Sequence, residues 1–552
     1  MELVLPHLLV RKNINIFIIS CLPPVCVWGV SVSAQLSPAV QKLADDYFNW
    51  RMINKPEFAS FVGIHDYDDQ LDDMSLEAYQ GRYDQCQVFL DQAEALESNI
   101  TDHDDLINIR ALKNELTTYM DGFPYQGEGV HIDFERLISW MVFETSQDYE
   151  KLLSRYEKLP EQLMQIRELM ETGVATGIVN HAISMKDVVE GLGRFVVEAA
   201  EDSPLWTRFA TFPDNFTQEE VTNFQERAKT IILDQISSGF QQLSDYVNTD
   251  YITRPDIAVT SLPDGEARYS QIIKFHTSTD LTPEEIHQMG LDEIVSELGF
   301  NMSVAEFSDM IRNDPQFYYD DPDELMEGFE DLEYNVIPPK LPEIFMNIPK
   351  AKLTVVADPS PDGAGAYYLA GSYDGSRPGI FYVNTYHYDA QRVMEDRNYW
   401  QTPSRFPMYT AYVEGWALYS ENLGFDMDLY EDLYVRYGHY SDEIFRAGRL
   451  VVDTGMHALG WTRQEAIDFL FLHTALTRID VENEVDRYIT WPGQALAYKV
   501  GQLKLTELRQ KAANKLGDKF VIKKFHDVVL DSVGPLDLVE DEVNAWIDAG
   551  GK

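Results

Sequence analysis

The sequence predicts a mainly α fold with one small β-sheet near residues 350–385. Three observations carry that reading. Apolar residues recur at three- and four-residue spacing from Leu36 to about Asp280 and again from Tyr399 onward. Helix-start signals precede several of these runs. The β-rich runs gather in one stretch, Leu353–Val356, Ala366–Leu369 and Ile380–Val383, divided by turn-forming clusters such as Asp358 to Gly363. With 552 residues, of which 45% are hydrophobic, the chain has ample material for a large core.

In chain order, the first element reads as a targeting segment. Arg11 and Lys12 precede apolar runs at Ile14–Ile19 and Val25–Val32, and Ser31–Ala34 offers small residues for cleavage after Ala34. Residues 1–34 are therefore expected to be a signal peptide, or an uncleaved anchor in the alternative. Residues 35–552 are then one helical domain, compact or bilobed, secreted or held in a secretory lumen. Cys21 and Cys26 leave with the signal, so Cys86 has no partner for an internal disulfide. Sequons at Asn99, Asn215 and Asn301 are candidate glycan sites.

Further along, Leu163, Ile166 and Met170 follow Pro160 at helical spacing, and Gly173 is a plausible stop. Thr217 and Glu220 form a capping box ahead of Val221, Phe224, Ala228, Ile231, Ile232 and Phe240. Thr282 and Glu285 form another, with Pro283 in the first helical turn, ahead of Ile286, Met289 and Leu298. In the C-terminal half, Trp491-Pro492-Gly493 and Gly534-Pro535 punctuate the helices.

Charge narrows the possible partners. There are 92 acidic and 44 basic side chains, a formal net charge of -48. Such a surface repels phosphate backbones and anionic lipids, which argues against nucleic acid and membrane-surface roles. No histidine is followed by Glu, so the zinc string H-E-x-x-H is missing, and no phosphate loop or G-x-S-x-G elbow occurs. Asp426, Asp428, Glu431 and Asp432 lack the glycine of a calcium loop and read as a solvated face.

Glu414 and Glu421 share one helical face in an aromatic stretch, where a carboxylate is costly to bury unless paired or bound to a cation. His457 follows Arg446, Arg449 and Asp453, and Tyr498 follows Pro492-Gly493. From the residues alone, His457 and Tyr498 read equally as packing residues.

Four strings occur in one order: Arg377 to Thr385, Glu414 to Glu421, Arg449 to His457 and Pro492 to Tyr498. Together they resemble the family catalogued as domain of unknown function 885, over about Leu36 to the C-terminus. The resemblance implies a large helical, zincin-like fold and zinc-dependent hydrolysis of peptide substrates. The family carries an H-E-x-x-P-G-H helix between the strand ending in N-T and the E-G-W-A-L-Y helix. Its two histidines, with the Glu of E-G-W, would hold zinc, and its Glu would be general base. Carried over, Glu414 is the third metal ligand, and His457 and Tyr498 are donors that could steady an oxyanion.

Here Asn384-Thr385 leads through Gln391 directly to Arg392 and Glu395, without that helix. The intact family is thus expected to use zinc, while this chain is expected not to bind it and to be inactive. His387 and His439 are the histidines that would have to stand in. The alternative is a non-catalytic binder of peptides or proteins.

Overall fold

The computed structural model describes residues 36–123, 134–294, 322–346, 348, 354–358, 366–369, 380–384, 409–431, 433–474 and 476–552. The expected signal segment, the Asn301 sequon, Leu298, His387 and the interval from Thr385 to Met408 lie outside the described residues.

The fold is mainly α, as expected. Helices α1 (Pro38–Asn54), α2 (Leu76–Glu97) and α3 (His103–Gly122) close around Val40, Leu43, Tyr47, Phe89, Ile109 and Leu112. Cys86 is buried there, and burial pushes its thiol up to about 12, which suppresses the reactive thiolate.

Next, α4 (Ser146–Thr176) packs with α5 (Gln218–Ile231) and α6 (Ser237–Thr249) around Tyr149, Leu152, Phe224 and Phe240. A π-helical turn, Ile232–Ile236, joins α5 to α6 and keeps both of its isoleucines buried. The capping box of Thr217 and Glu220 forms as expected.

Two expectations for α4 are corrected. The helix begins well before Pro160, where the Thr145 amide donates to Asp148 Oδ2 at 2.8 Å. Burial of Tyr156, Leu159 and Leu163 offsets the amide that Pro160 lacks. Gly173 does not end the helix. It is small because a Cβ there would sit 2.5 Å from the Ile178 carbonyl oxygen; the stop is Gly177, at φ 77°.

Helices α7 (Gly265–Thr277) and α8 (Pro283–Ile294) precede a three-stranded sheet. The Thr282 amide donates to Glu285 Oε2 at 2.9 Å, as the capping box requires. Strands β1 (Thr354–Asp358), β2 (Ala366–Leu369) and β3 (Ile380–Asn384) lie within about a residue of the expected runs. Their order is β1-β3-β2, with β1 parallel to β3 (Val355 opposite Phe381) and β2 antiparallel to it.

The C-terminal helices are α9 (Thr410–Asp426), α10 (Leu433–His457), α11 (Arg463–His473), α12 (Arg478–Thr490), α13 (Ala497–Leu516), α14 (Ile522–Asp531) and α15 (Leu536–Asp548). Trp416, Tyr419, Leu505, Phe525 and Val543 share one core. The N-terminal helices are tied to this half by Tyr409 Oη donating to the Ala111 carbonyl at 3.1 Å and by an Arg110–Asp541 ion pair at 2.7 Å. Among the described residues, no helix is long and apolar enough to cross a membrane.

Helices α9 and α13 touch through their backbones. A Cβ on Gly415 would lie 2.4 Å from Gly501 Cα, and one on Gly501 would lie 1.9 Å from the Ala411 carbonyl oxygen. Both neighbours are backbone and cannot swing aside. Gly501→Ala is expected to lower stability by about 3 kcal/mol or more. Gly81→Ala, in open space within α2, should instead add roughly 0.5–1 kcal/mol. Thermal melting of the two variants checks both signs.

Candidate active-site floor

The α9–α13 contact sets Glu414, one residue before Gly415, beside the turn that carries Tyr498. Glu414 is half-buried on α9. Burial, then the nearby Glu414 carboxylate, pushes the Tyr498 phenol up to about 12, against the pull of Arg449. Arg449 on α10 lies with its guanidinium carbon 4.8 Å from the Tyr498 ring centroid. Gln494 Nε2 donates to Tyr498 Oη at 3.2 Å. Tyr498 is therefore held between Arg449 and Gln494, with the Glu414 carboxylate near enough to act on it electrostatically.

Beneath them is a charge network in which Arg449 is buried and Glu484 and Arg487 are half-buried. Glu484 Oε2 accepts from Arg449 at 3.1 Å, from Arg487 at 3.0 Å and from Tyr488 Oη at 2.6 Å. Arg449 Nε in turn donates to Tyr488 Oη at 2.9 Å, and Arg487 donates to Gln494 Oε1 at 2.9 Å. Burial opposes ionisation of Glu484, but Arg449 and Arg487 outweigh it and hold the carboxyl well below its usual range. The chain of bonds fixes Gln494, and through it the orientation of the Tyr498 hydroxyl.

His457 is placed differently. It is fully buried at the end of α10; Nδ1 accepts from the Val259 amide at 3.3 Å, and Nε2 lies 3.0 Å from the Tyr488 carbonyl. Burial pushes its pKa down, so the ring is neutral and both nitrogens are engaged with backbone. The structure does not bring His457 to Glu414 and Tyr498; it pins the Val259 turn to α12. Asp453, one turn earlier, accepts from Tyr269 Oη at 2.5 Å and from the Gly493 amide at 3.0 Å. Gly493 holds φ 77° there, which explains the Pro-Gly pair read from the sequence.

The described residues alone do not assemble a zinc cage at Glu414. Among the described residues, the group of three metal-ligating side chains with mutually close donor atoms is Glu421, His439 and Glu443, and it omits Glu414. His439, named as a stand-in, has Nε2 3.1 Å from Asn422 Oδ1. The sequence reading missed Glu484, Arg487 and Gln494. Their spacing, with Glu484, Arg487 and Tyr488 at i, i+3 and i+4 on one helix, was the available signal.

A large helical scaffold with a small mixed sheet and a buried polar floor is the class this geometry defines. The chain belongs to the family described as "Bacterial protein of unknown function (DUF885)", which matches residues 56–406 and 404–543. A solved "putative lipoprotein from Colwellia psychrerythraea" is similar at 25% identity and TM-score 0.82, over 93% of this chain and all of that one. A "putative lipoprotein of unknown function from Shewanella oneidensis" shares the fold at 14% identity and TM-score 0.59, over 92% and 99% of the two chains. No curated protein matches the chain.

Removing the Glu484 charge would strand two guanidiniums. Glu484→Gln is expected to cost about 1.5–3 kcal/mol, as for hydrogen bonds to charged groups, whereas Tyr498→Phe, which loses one neutral hydrogen bond, should cost about 1 kcal/mol. Chemical denaturation of the two variants measures the difference.

Proposed function

We propose that this chain is a catalytically silent member of a zinc-dependent, peptide-hydrolysing family. It keeps the floor of the active site and lacks the helix that would complete the metal cage. The observation that carries this is Tyr498 held by Arg449 and Gln494 within electrostatic reach of Glu414, taken with a sequence before α9 that lacks H-E-x-x-P-G-H. The family match supports it, because it divides into two stretches that meet at residues 404–406, inside that interval.

In an intact relative, zinc would supply the activated water and polarise the scissile carbonyl. This chain's contribution lies in its own residues. Tyr498 keeps its proton throughout the neutral range, so its hydroxyl is a donor suited to a developing oxyanion. Arg449 and Gln494 hold that hydroxyl in place. Glu414 places a carboxylate within electrostatic reach of it, and the sequence before α9 lacks the two histidines of the family motif. An envelope or extracellular setting is supported by the lipoprotein descriptions of the two solved relatives.

A peptide-binding role is favoured by one feature of the sheet. Among the described residues, the order β1-β3-β2 leaves β1 and β2 as edge strands, and an extended peptide pairs with an edge.

The test compares this chain with one carrying a family-type H-E-x-x-P-G-H helix after Gln391, on a broad peptide library with zinc. Cleavage is expected only from the restored chain. In that chain Tyr498→Phe should lower kcat by roughly 10²–10³-fold. Peptide cleavage by the chain as it stands would refute the silent-member reading. A restored, folded chain that cleaves nothing would refute the peptidase reading of the family.

A further inference from the structure

A second carboxylate on α9 belongs to a different cluster. Glu421 lies seven residues beyond Glu414, about 10 Å along the helix. It is fully buried, and its carboxylate faces His439 and Glu443 of α10. One ligating atom from each of the three lies within 4.8 Å of the other two. We propose that Glu421, His439 and Glu443 bind a divalent cation of the zinc class, at a site separate from Glu414.

Three features support this assignment. The first is the histidine. His439 is 1% exposed, its Nε2 lies 3.1 Å from Asn422 Oδ1, and its Nδ1 has no hydrogen-bond partner among the described residues. An amide oxygen facing Nε2 fixes the hydrogen there and leaves the Nδ1 lone pair free for a metal. Burial holds the ring uncharged, with its pKa pushed down to about 4.

The second feature is the way Glu443 is held. Lys499 donates to Glu443 Oε2 at 2.6 Å, and Gln502 Nε2 donates to Oε1. Each carboxylate oxygen keeps a further lone pair, so these donors orient the group without using it up. The third is charge. Lys499, 2% exposed, also pairs with Glu293 at 2.9 Å. Two carboxylates thus share one ammonium, so Lys499 alone does not cancel the charge on Glu443, and a divalent ion would add to that neutralisation. One imidazole with two carboxylates suits zinc, whereas magnesium and calcium sites are built from oxygen.

Neither Glu421, His439 nor Glu443 has a role in the peptidase reading, so the two stand or fall separately. The experiment is titration of the metal-free, unmodified chain with zinc chloride by calorimetry, followed by zinc-edge X-ray absorption on the loaded protein. Expected are one equivalent bound with micromolar or tighter Kd, and a first shell of one imidazole with oxygen ligands. His439→Gln and Glu443→Gln should each weaken binding at least tenfold, while Glu414→Gln leaves it unchanged; the melting curve of each metal-free variant reports folding. No binding by the unmodified chain would overturn the proposal. So would a shell with two or more imidazoles, or loss of binding in Glu414→Gln alone. The spectrum of the unmodified chain decides even if a variant fails to fold.

Discussion

Everything near the polar floor depends on two helices that touch through backbone. Gly415 and Gly501 let α9 and α13 approach until a single added carbon on either would collide with main-chain atoms. That approach sets the height of Glu414 against Tyr498. It also brings the aromatic side of α9 against α13 and α14, so Trp416 and Tyr419 join Leu505 and Phe525 in one core. Side chains with ordinary volume at these positions would separate the helices and take the carboxylate away from the phenol.

The second constraint is electrostatic. A chain with a net charge of -48 must still bury guanidiniums and carboxylates together where α10, α12 and α13 meet. It does so by matching them: Glu484 balances Arg449 and Arg487, and Lys499 sits between Glu293 and Glu443. Such networks add little net stability compared with apolar packing, but they fix direction, since each partner can satisfy its bonds in only one arrangement. Here the arrangement holds the Tyr498 hydroxyl through Gln494. The Glu421–His439–Glu443 group lies beside that Lys499 pair.

Much of the fold was legible from local rules. The capping boxes at Thr217 and Thr282 and the three strands follow from short-range chemistry, and they stand where the sequence puts them. Gly173 misled because a glycine has two uses, and its role here is to make room for the Ile178 carbonyl, a contact set by tertiary structure. The site was legible in part. Tyr498 lies within electrostatic reach of Glu414, yet His457 turns both ring nitrogens to backbone segments far away in sequence, which spacing along one helix cannot reveal. The partnership of Glu421 with His439 and Glu443 depends in the same way on how α9 crosses α10.

The central claim is that Glu414 is a ligand without its cage, on a floor that is otherwise assembled. The most direct measurement is a crystal structure of this chain soaked in zinc, with anomalous diffraction recorded at the zinc edge. The account predicts no zinc peak at Glu414 and an unaltered Tyr498–Gln494 hydrogen bond beside it. An anomalous peak coordinated by Glu414 and histidines of this chain would contradict it.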